Sequence, residues 1–316
     1  MINISAGKAT HRDRRYAIIM AGGDGTRLAS LTRAITGHEV PKQFCALLGE
    51  HTLLEQTRRR ASLAFLPEHT LTVVSRKHEA FYAPLLGDMP NGNVVVQPSN
   101  RGTAPALLYS LMRLAAKTPD ASVVVMPSDH YLSNEREFMR HVDAAFNVID
   151  GRPELTVMLG MAALTPETSY GWIEPGTSIF NGDFRISAVR SFVGTPPLDT
   201  AIDLMRRGSL WNSCVIVARI STLIGLIMMA EPQLYFGFSN IRHLFGSAFE
   251  HDAVARLYAD APERSFAHDI LTSCPVNLAV MPVRGVAFTD LGEAHRVLDT
   301  ARRIGITPKW MESAAV

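Results

Sequence analysis

The chain has 316 residues, 47% hydrophobic and 19% charged, with a formal net charge of +1. That length can bury a substantial core, and the near-neutral balance excludes a polyanion-coating surface, so no nucleic-acid partner is expected. The three cysteines, Cys45, Cys214 and Cys274, have neither zinc-ligand spacing nor a disulfide framework and read as buried free thiols.

Residues 1–14 are polar and basic, lack the apolar stretch of a signal peptide, and read as a flexible extension. Tyr16-Ala17-Ile18-Ile19-Met20 predicts a buried strand. It runs into Ala21-Gly22-Gly23-Asp24-Gly25-Thr26-Arg27, followed by Pro41-Lys42-Gln43. A strand entering a glycine-rich turn is how α/β proteins cradle a phosphate. Glycines permit the tight turn and let backbone N–H groups approach the anion. The glycines alone could form a plain turn; Arg27 and Lys42 beside them point to phosphate chemistry.

A helix is expected over 52–65, with Thr52 as cap and Glu55 placed for a capping box. Its Arg58-Arg59-Arg60 run reads as a solvated face. Strands at 71–74 and 94–96 and helices at 77–86 and 103–116 follow, with Pro105 tolerated in a first turn. Val123–Met126 is a buried strand ending at Pro127-Ser128-Asp129-His130, before a helix over 135–149. Short apolar strands alternating with helices imply a mostly parallel sheet covered on both faces.

The second half is less regular. Strands are expected at 155–159, 184–192, 213–218 and 277–281, with Tyr170-Gly171-Trp172-Ile173-Glu174 between the first two. Helices are expected at 198–208, 220–230, interruptedly over 233–258, and near 294–304. The most apolar stretch, 223–229, is too short to span a membrane. No membrane partner and a cytoplasmic location are therefore expected. No linker divides the chain. One domain over 15–305 is expected, with a nucleotide-side half (15–150), a substrate-side half (151–305) and a tail at 306–316.

A Walker A loop is absent, and the dinucleotide fingerprint fails because Leu28 stands where a third glycine is needed. Carboxylates narrow the chemistry. Ligands in open α/β sheets bind beyond the carboxyl ends of strands, which puts the glycine loop and Asp129 on one edge. Asp290, in Phe288-Thr289-Asp290-Leu291-Gly292, also follows a strand-like region; taken alone it could be an ordinary turn. Two converging carboxylates would suit Mg²⁺ held between protein and substrate phosphates. His130 reads as structural.

At this point the chain resembles the sugar-1-phosphate nucleotidyltransferases, and most closely their bacterial mannose-1-phosphate guanylyltransferase branch. The resemblance covers roughly residues 14–303. Besides the glycine loop and Pro41-Lys42-Gln43-Phe44, it rests on Gln97-Pro98-Ser99-Asn100-Arg101-Gly102-Thr103-Ala104-Pro105-Ala106 and Pro127-Ser128-Asp129-His130. Glu167-Thr168-Ser169-Tyr170-Gly171-Trp172-Ile173, Trp211-Asn212-Ser213 and Thr289-Asp290-Leu291-Gly292 follow in family order.

The resemblance implies a single Rossmann-like, three-layer α/β domain with a mixed, mostly parallel central sheet. It implies nucleotide contacts at Ala21, Gly22, Gly23, Gly25, Thr26, Gln97, Pro98, Arg101, Gly102, Thr103 and Ser128. Arg27 would meet the departing pyrophosphate and Lys42 the α-phosphate, while Asp129 and Asp290 would hold Mg²⁺. Gly171, Glu174 and Asn212 would line the sugar site. The implied reaction joins GTP and mannose 1-phosphate into GDP-mannose and pyrophosphate; a homodimer is compatible with this reading. Two alternatives stay open: a related transferase with another sugar-1-phosphate or NTP, and a non-catalytic sugar-nucleotide sensor or partner subunit.

The chain departs from the family pattern in three places. Gly194 and Thr195 stand where Glu-Lys is usual, removing a cation from the sugar phosphate; Arg190, Arg206 and Arg207 are the nearest replacements. Phe288 replaces a tryptophan, and Ser265-Phe266-Ala267-His268-Asp269 lacks the common acidic pattern.

Overall fold

Apolar β-branched runs in the first half cannot face water on either side, so they pair side by side and take helices on both faces. A computed structural model describes residues 11–275, 277–308 and 310–311. Most of the expected extension lies outside these residues; its described end, His11–Arg14, forms a tight helical turn. Of the expected tail, 309 and 312–316 also lie outside, and the Trp310 indole donates to the Leu47 carbonyl at 3.3 Å.

In chain order the first half comprises β1 (Arg15–Met20), α1 (Ala29–Thr36), α2 (Leu53–Ala61), β2 (Thr70–Ser75), α3 (Glu79–Leu86) and β3 (Val94–Gln97). Then come α4 (Thr103–Lys117), β4 (Ser122–Pro127), β5 (Tyr131–Leu132) and α5 (Glu135–Gly151). The second half holds β6 (Thr156–Ala162), β7 (Trp172–Phe180), β8 (Ile186–Val193), α6 (Leu198–Arg206) and β9 (Leu210–Arg219). It closes with α7 (Ile220–Ala230), α8 (Pro232–Ile241), α9 (Glu250–Asp260), β10 (Leu278–Val283), β11 (Phe288–Thr289) and α10 (Ala294–Arg303).

Strands of both halves join one nine-stranded sheet in the order β3-β2-β1-β4-β9-β6-β10-β8-β7. The sheet is mixed and mostly parallel: β8 and β9 run against the other strands. Side chains alternate across it, as a strand's period of two requires. Ala17 and Ile19 of β1 face one core layer with α2 and α5, while Ile18 faces another with α4 and α7. This is the expected three-layer architecture. Among the described residues, no helix is long and apolar enough to cross a membrane.

Several expectations need correction. The segment at 170–174 leads into β7, whose Pro175 and Gly176 hide it in the sequence. Proline costs a ladder bond but is tolerated at edges and bulges; Trp172 and Ile173 pair with both β8 and β9, but from Glu174 on β7 pairs with β8 alone, its register broken beside Pro175. The helix expected over 52–65 ends at Ala61, after the Thr52–Glu55 capping box forms as expected. The arginine run is not a uniformly solvated face. Arg60 is 2% exposed and pairs with Glu135 at 3.1 Å, and burial lowers its pKa. The thiols differ too: Cys45 is buried, Cys274 half-buried and Cys214 exposed.

Candidate active site

The cleft forms where β1 and β4 lie side by side, with Met20 opposite Pro127. Their carboxyl ends release the glycine loop and Ser128-Asp129 on one edge of the sheet, and the Ser128 amide donates to the Met20 carbonyl at 3.2 Å. Ala21 is buried and its amide already serves the Val73 carbonyl at 2.8 Å, so it extends the sheet; its N–H is not a free anion donor. Gly23 and Thr26 are at the loop surface.

Close approach constrains two glycines. At Gly25, φ is +62° and a Cβ would lie 2.9 Å from the Lys42 backbone nitrogen; at Gly22 it would collide with the Gln97 amide. The loop therefore packs directly on both neighbouring segments. Gln43, buried at 2% exposure, braces it by donating to the carbonyls of Ala21 (3.1 Å) and Gly23 (2.7 Å). From the other side Asp24 meets Lys77 (3.3 Å), His78 (3.2 Å) and Asn100 (3.2 Å). Burial works to raise the Asp24 pKa, but these partners outweigh it and hold it low.

Lys42 sits at the base of the cleft, 7% exposed. Its ammonium lies 3.2 Å from Asp129 Oδ2 and donates to the Asp290 carbonyl at 2.6 Å. Asp290 Oδ1 accepts from the Gly292 amide (2.9 Å) and Arg296 (2.8 Å), while Oδ2 lies 3.9 Å from Arg27. Burial pushes the Asp290 pKa up, yet the Gly292 amide, Lys42 and Arg296 outweigh it and keep the carboxyl below its ordinary value. A cavity of about 200 Å³ is lined by Gly25, Thr26, Arg27, Lys42, Asp129 and Gly292. The structure thus brings Arg27, Lys42, Asp129 and Asp290 together from four separated stretches of chain. Behind Asp129, the His130 ring is pushed down to about 4 by burial, so it is neutral at pH 7.

The strap after β3 packs against a distant part of the chain. Gln97 is buried beside Gly22, and Pro98 turns the chain. Arg101, expected at the nucleotide, donates to the carbonyls of Tyr258 (3.0 Å) and Ala259 (3.1 Å). Thr103 Oγ1 accepts from the Phe266 amide at 2.8 Å. Gly102 has φ +82°, and a Cβ there would lie 2.3 Å from the Arg264 carbonyl oxygen. These contacts strap the segment to the 258–269 region. Arg101 therefore satisfies helix-end carbonyls, which a local sequence window cannot reveal.

Among the residues expected at the sugar, the Asn212 amide donates to the Gly171 carbonyl at 2.8 Å, and Asn212 Oδ1 accepts from the Cys214 amide at 2.9 Å. Glu174 Oε1 faces Arg207 (3.2 Å) and Arg190 (3.5 Å), and Oε2 accepts from Ser191 at 3.0 Å. Two of the three candidate replacement cations thus meet at Glu174, whereas Arg206 pairs with Asp203 outside this cluster. Cys214 has φ +55°. It is exposed, and desolvation together with Asp129 and Asp290 raises its thiol pKa to about 11.

Sequence reasoning assigned no role to Gln43, Arg296 or Cys214. Gln43 and Arg296 act through single side-chain bridges between distant segments, which leave no periodic signal. Arg296 carried one local hint, a cation in the first turn of a helix, where the dipole disfavours it.

Comparison with known proteins follows the same lines. The chain is 32% identical over 222 residues to the alginate biosynthesis protein AlgA of Pseudomonas fluorescens, covering 69% of this chain and 44% of AlgA. It is 27% identical over 223 residues to the mannose-1-phosphate guanylyltransferase of Escherichia coli, covering 69% of this chain and 47% of that protein. The chain thus spans about half the length of these relatives. A Thermus thermophilus structure named a mannose-1-phosphate geranyltransferase superposes with a TM-score of 0.77 at 27% identity, covering 90% of this chain and 79% of that one. The family model described as "Nucleotidyl transferase" matches residues 16–226. With its glycine loop, cationic cleft and paired carboxylates all inside that match except Asp290, the chain belongs to the nucleotidyl transferase family.

Proposed function

We propose that this chain transfers GMP from GTP to α-D-mannose 1-phosphate, giving GDP-mannose and pyrophosphate. The convergence of Lys42, Asp129 and Asp290 beside the glycine loop carries this reading. The acceptor phosphate is already an anion, so it attacks the α-phosphorus with no general base. The bond from that phosphorus to the bridging β-phosphate oxygen breaks, and pyrophosphate leaves. The glycine loop binds the nucleotide phosphates, Arg27 offsets charge on the leaving group, and Lys42 offsets charge at the α-phosphate.

Asp129 and Asp290 fit Mg²⁺. Both carboxylates stand at one cleft, Asp290 Oδ2 makes no hydrogen bond among the described residues, and Mg²⁺ takes one or two carboxylates plus substrate phosphates. When bound, the ion supplies charge neutralisation between the two phosphate groups. Gly171, Asn212 and Glu174 hold the sugar, and the Arg190–Arg207 pair at Glu174 offers the cation that Thr195 lacks. That same substitution favours a second reading, a related transferase with another sugar-1-phosphate or NTP. Retention of Lys42 together with both carboxylates argues against a pure sensor.

A panel of NTPs against sugar-1-phosphates, scored by pyrophosphate release, tests both. GTP with mannose 1-phosphate should give the highest kcat/KM and should require a divalent ion. A different preferred pair would move the assignment to the second reading. Full activity in excess chelator would remove the role given to Asp129 and Asp290.

A further inference from the structure

Arg296 joins two parts of the cleft that the chemistry above treats separately. Its side chain is 11% exposed. One end of the guanidinium donates to Asp290 Oδ1 at 2.8 Å; the other donates to Glu167 Oε2 at 2.6 Å and to Ser169 Oγ. Its central carbon lies 4.3 Å from the centroid of the Tyr170 ring. The Tyr170 hydroxyl in turn accepts from the Asp290 amide at 3.3 Å. Burial disfavours the Arg296 charge, but Tyr170, Asp290 and Glu167 outweigh it.

This arrangement runs against local preference, since α10 has no acidic residue in its first turn and carries Arg296 there. Tertiary contacts must override that preference. A planar fork that bridges two carboxylates and stacks on an aromatic ring uses properties lysine lacks. The two carboxylates belong to different jobs. Asp290 lies on the transfer side, whereas Glu167 begins the segment that ends at Gly171, whose carbonyl is bonded to Asn212.

We propose that Arg296 is a positioning residue that couples the two substrate sides of the cleft. It fixes Asp290 through Oδ1, leaving Oδ2 toward Arg27, and through Glu167 and Tyr170 it holds the acceptor-side segment 167–171 against the transfer centre. This rests on the transfer reading above. It assigns separable effects to the two arms, where a purely structural arginine would shift stability alone.

The test compares the full chain with its Glu167→Gln and Arg296→Met variants, by steady-state kinetics with GTP and mannose 1-phosphate and by hydrogen exchange without substrates. Glu167→Gln weakens one arm. It should raise KM for mannose 1-phosphate on the order of tenfold, the scale of one charge-assisted hydrogen bond, with kcat and the KM for GTP nearly unchanged. Arg296→Met removes both arms and should add a kcat loss on the order of tenfold. Exchange should quicken at 167–171 alone in the first variant, and at 167–171 and 289–292 in the second. Unchanged exchange in both variants would overturn the coupling, as would equal changes in kcat and both KM values. If the unaltered chain turned over no nucleotide and sugar-phosphate pair, the transfer reading would fail, and the exchange measurement would still decide whether Arg296 couples the segments.

Discussion

A buried lysine is costly unless its charge is met. Lys42 is met by one carboxylate and by the Asp290 carbonyl, both from segments far away in the chain. Those contacts hold its ammonium in the cleft, which on the proposed reading leaves little reorganisation for the transfer step. Lys42→Ala should therefore lower kcat by about 3 kcal/mol in activation terms, the scale of a lost oxyanion donor, while GTP affinity changes far less. Steady-state kinetics with calorimetric GTP binding checks this. Lost affinity at unchanged kcat would make Lys42 a uniform binding residue. The residue's place beside the glycine loop was legible from its type and its short distance to that loop along the chain. Its partners were not, because Asp129 and Asp290 lie 87 and 248 positions away.

Among the elements, the connection from β3 to α4 shows most clearly what spacing leaves unsaid. Its helix was plain from periodicity, with α4 spanning Thr103–Lys117. The preceding strap takes its shape from the 258–269 region: the Arg264 amide donates to the Arg101 carbonyl and the Arg264 carbonyl accepts from the Ala104 amide, both at 3.0 Å. A methyl group at Gly102 cannot enter that gap. Gly102→Ala should lower Tm by about 2–3 °C for a loss of about 1–2 kcal/mol, and should weaken GTP binding as the strap shifts. Gly37→Ala serves as the comparison, because Gly37 has φ +83° but open space around it, so only backbone strain is added. Scanning fluorimetry with and without GTP separates the two. Equal Tm losses and equal GTP effects would show that the Arg264 contact does not matter. The same lesson holds for β7, whose proline and glycine disguise a strand, and for Arg101, whose charge is spent on carbonyls at the end of α9.

At the scale of the whole molecule, stability should depend on pH through the site's own groups. His130 in the folded chain titrates near 4, below its ordinary 6.5, because burial disfavours the cation. Its contribution is complete above pH 6.5 and drains away as pH falls toward 4, amounting to about 3 kcal/mol at most. Asp290 is also held low, so its contribution is present above its ordinary 3.8 and is lost only at more acid pH, through its folded value. Tm should thus fall first between pH 6.5 and 4, and His130→Asn should flatten that part of the profile. An unchanged slope in the variant would assign the loss to other groups.

The sequence by itself determined which segments are strands and helices wherever apolar periodicity is strong. It also determined the three-layer arrangement that alternation of such segments demands, and the chemical character of the cleft, because glycines, Arg27 and Lys42 are close along the chain. Tertiary structure alone decided which charges meet. It paired Lys42 with Asp129, brought Arg190 and Arg207 to Glu174, bonded Arg101 to the end of α9, and set Arg296 between Asp290 and Glu167. The reason is physical: hydrophobic periodicity is a local property repeated along an element, whereas a buried ion pair depends on two side chains whose separation in space is set only once the sheet and its covering helices have packed.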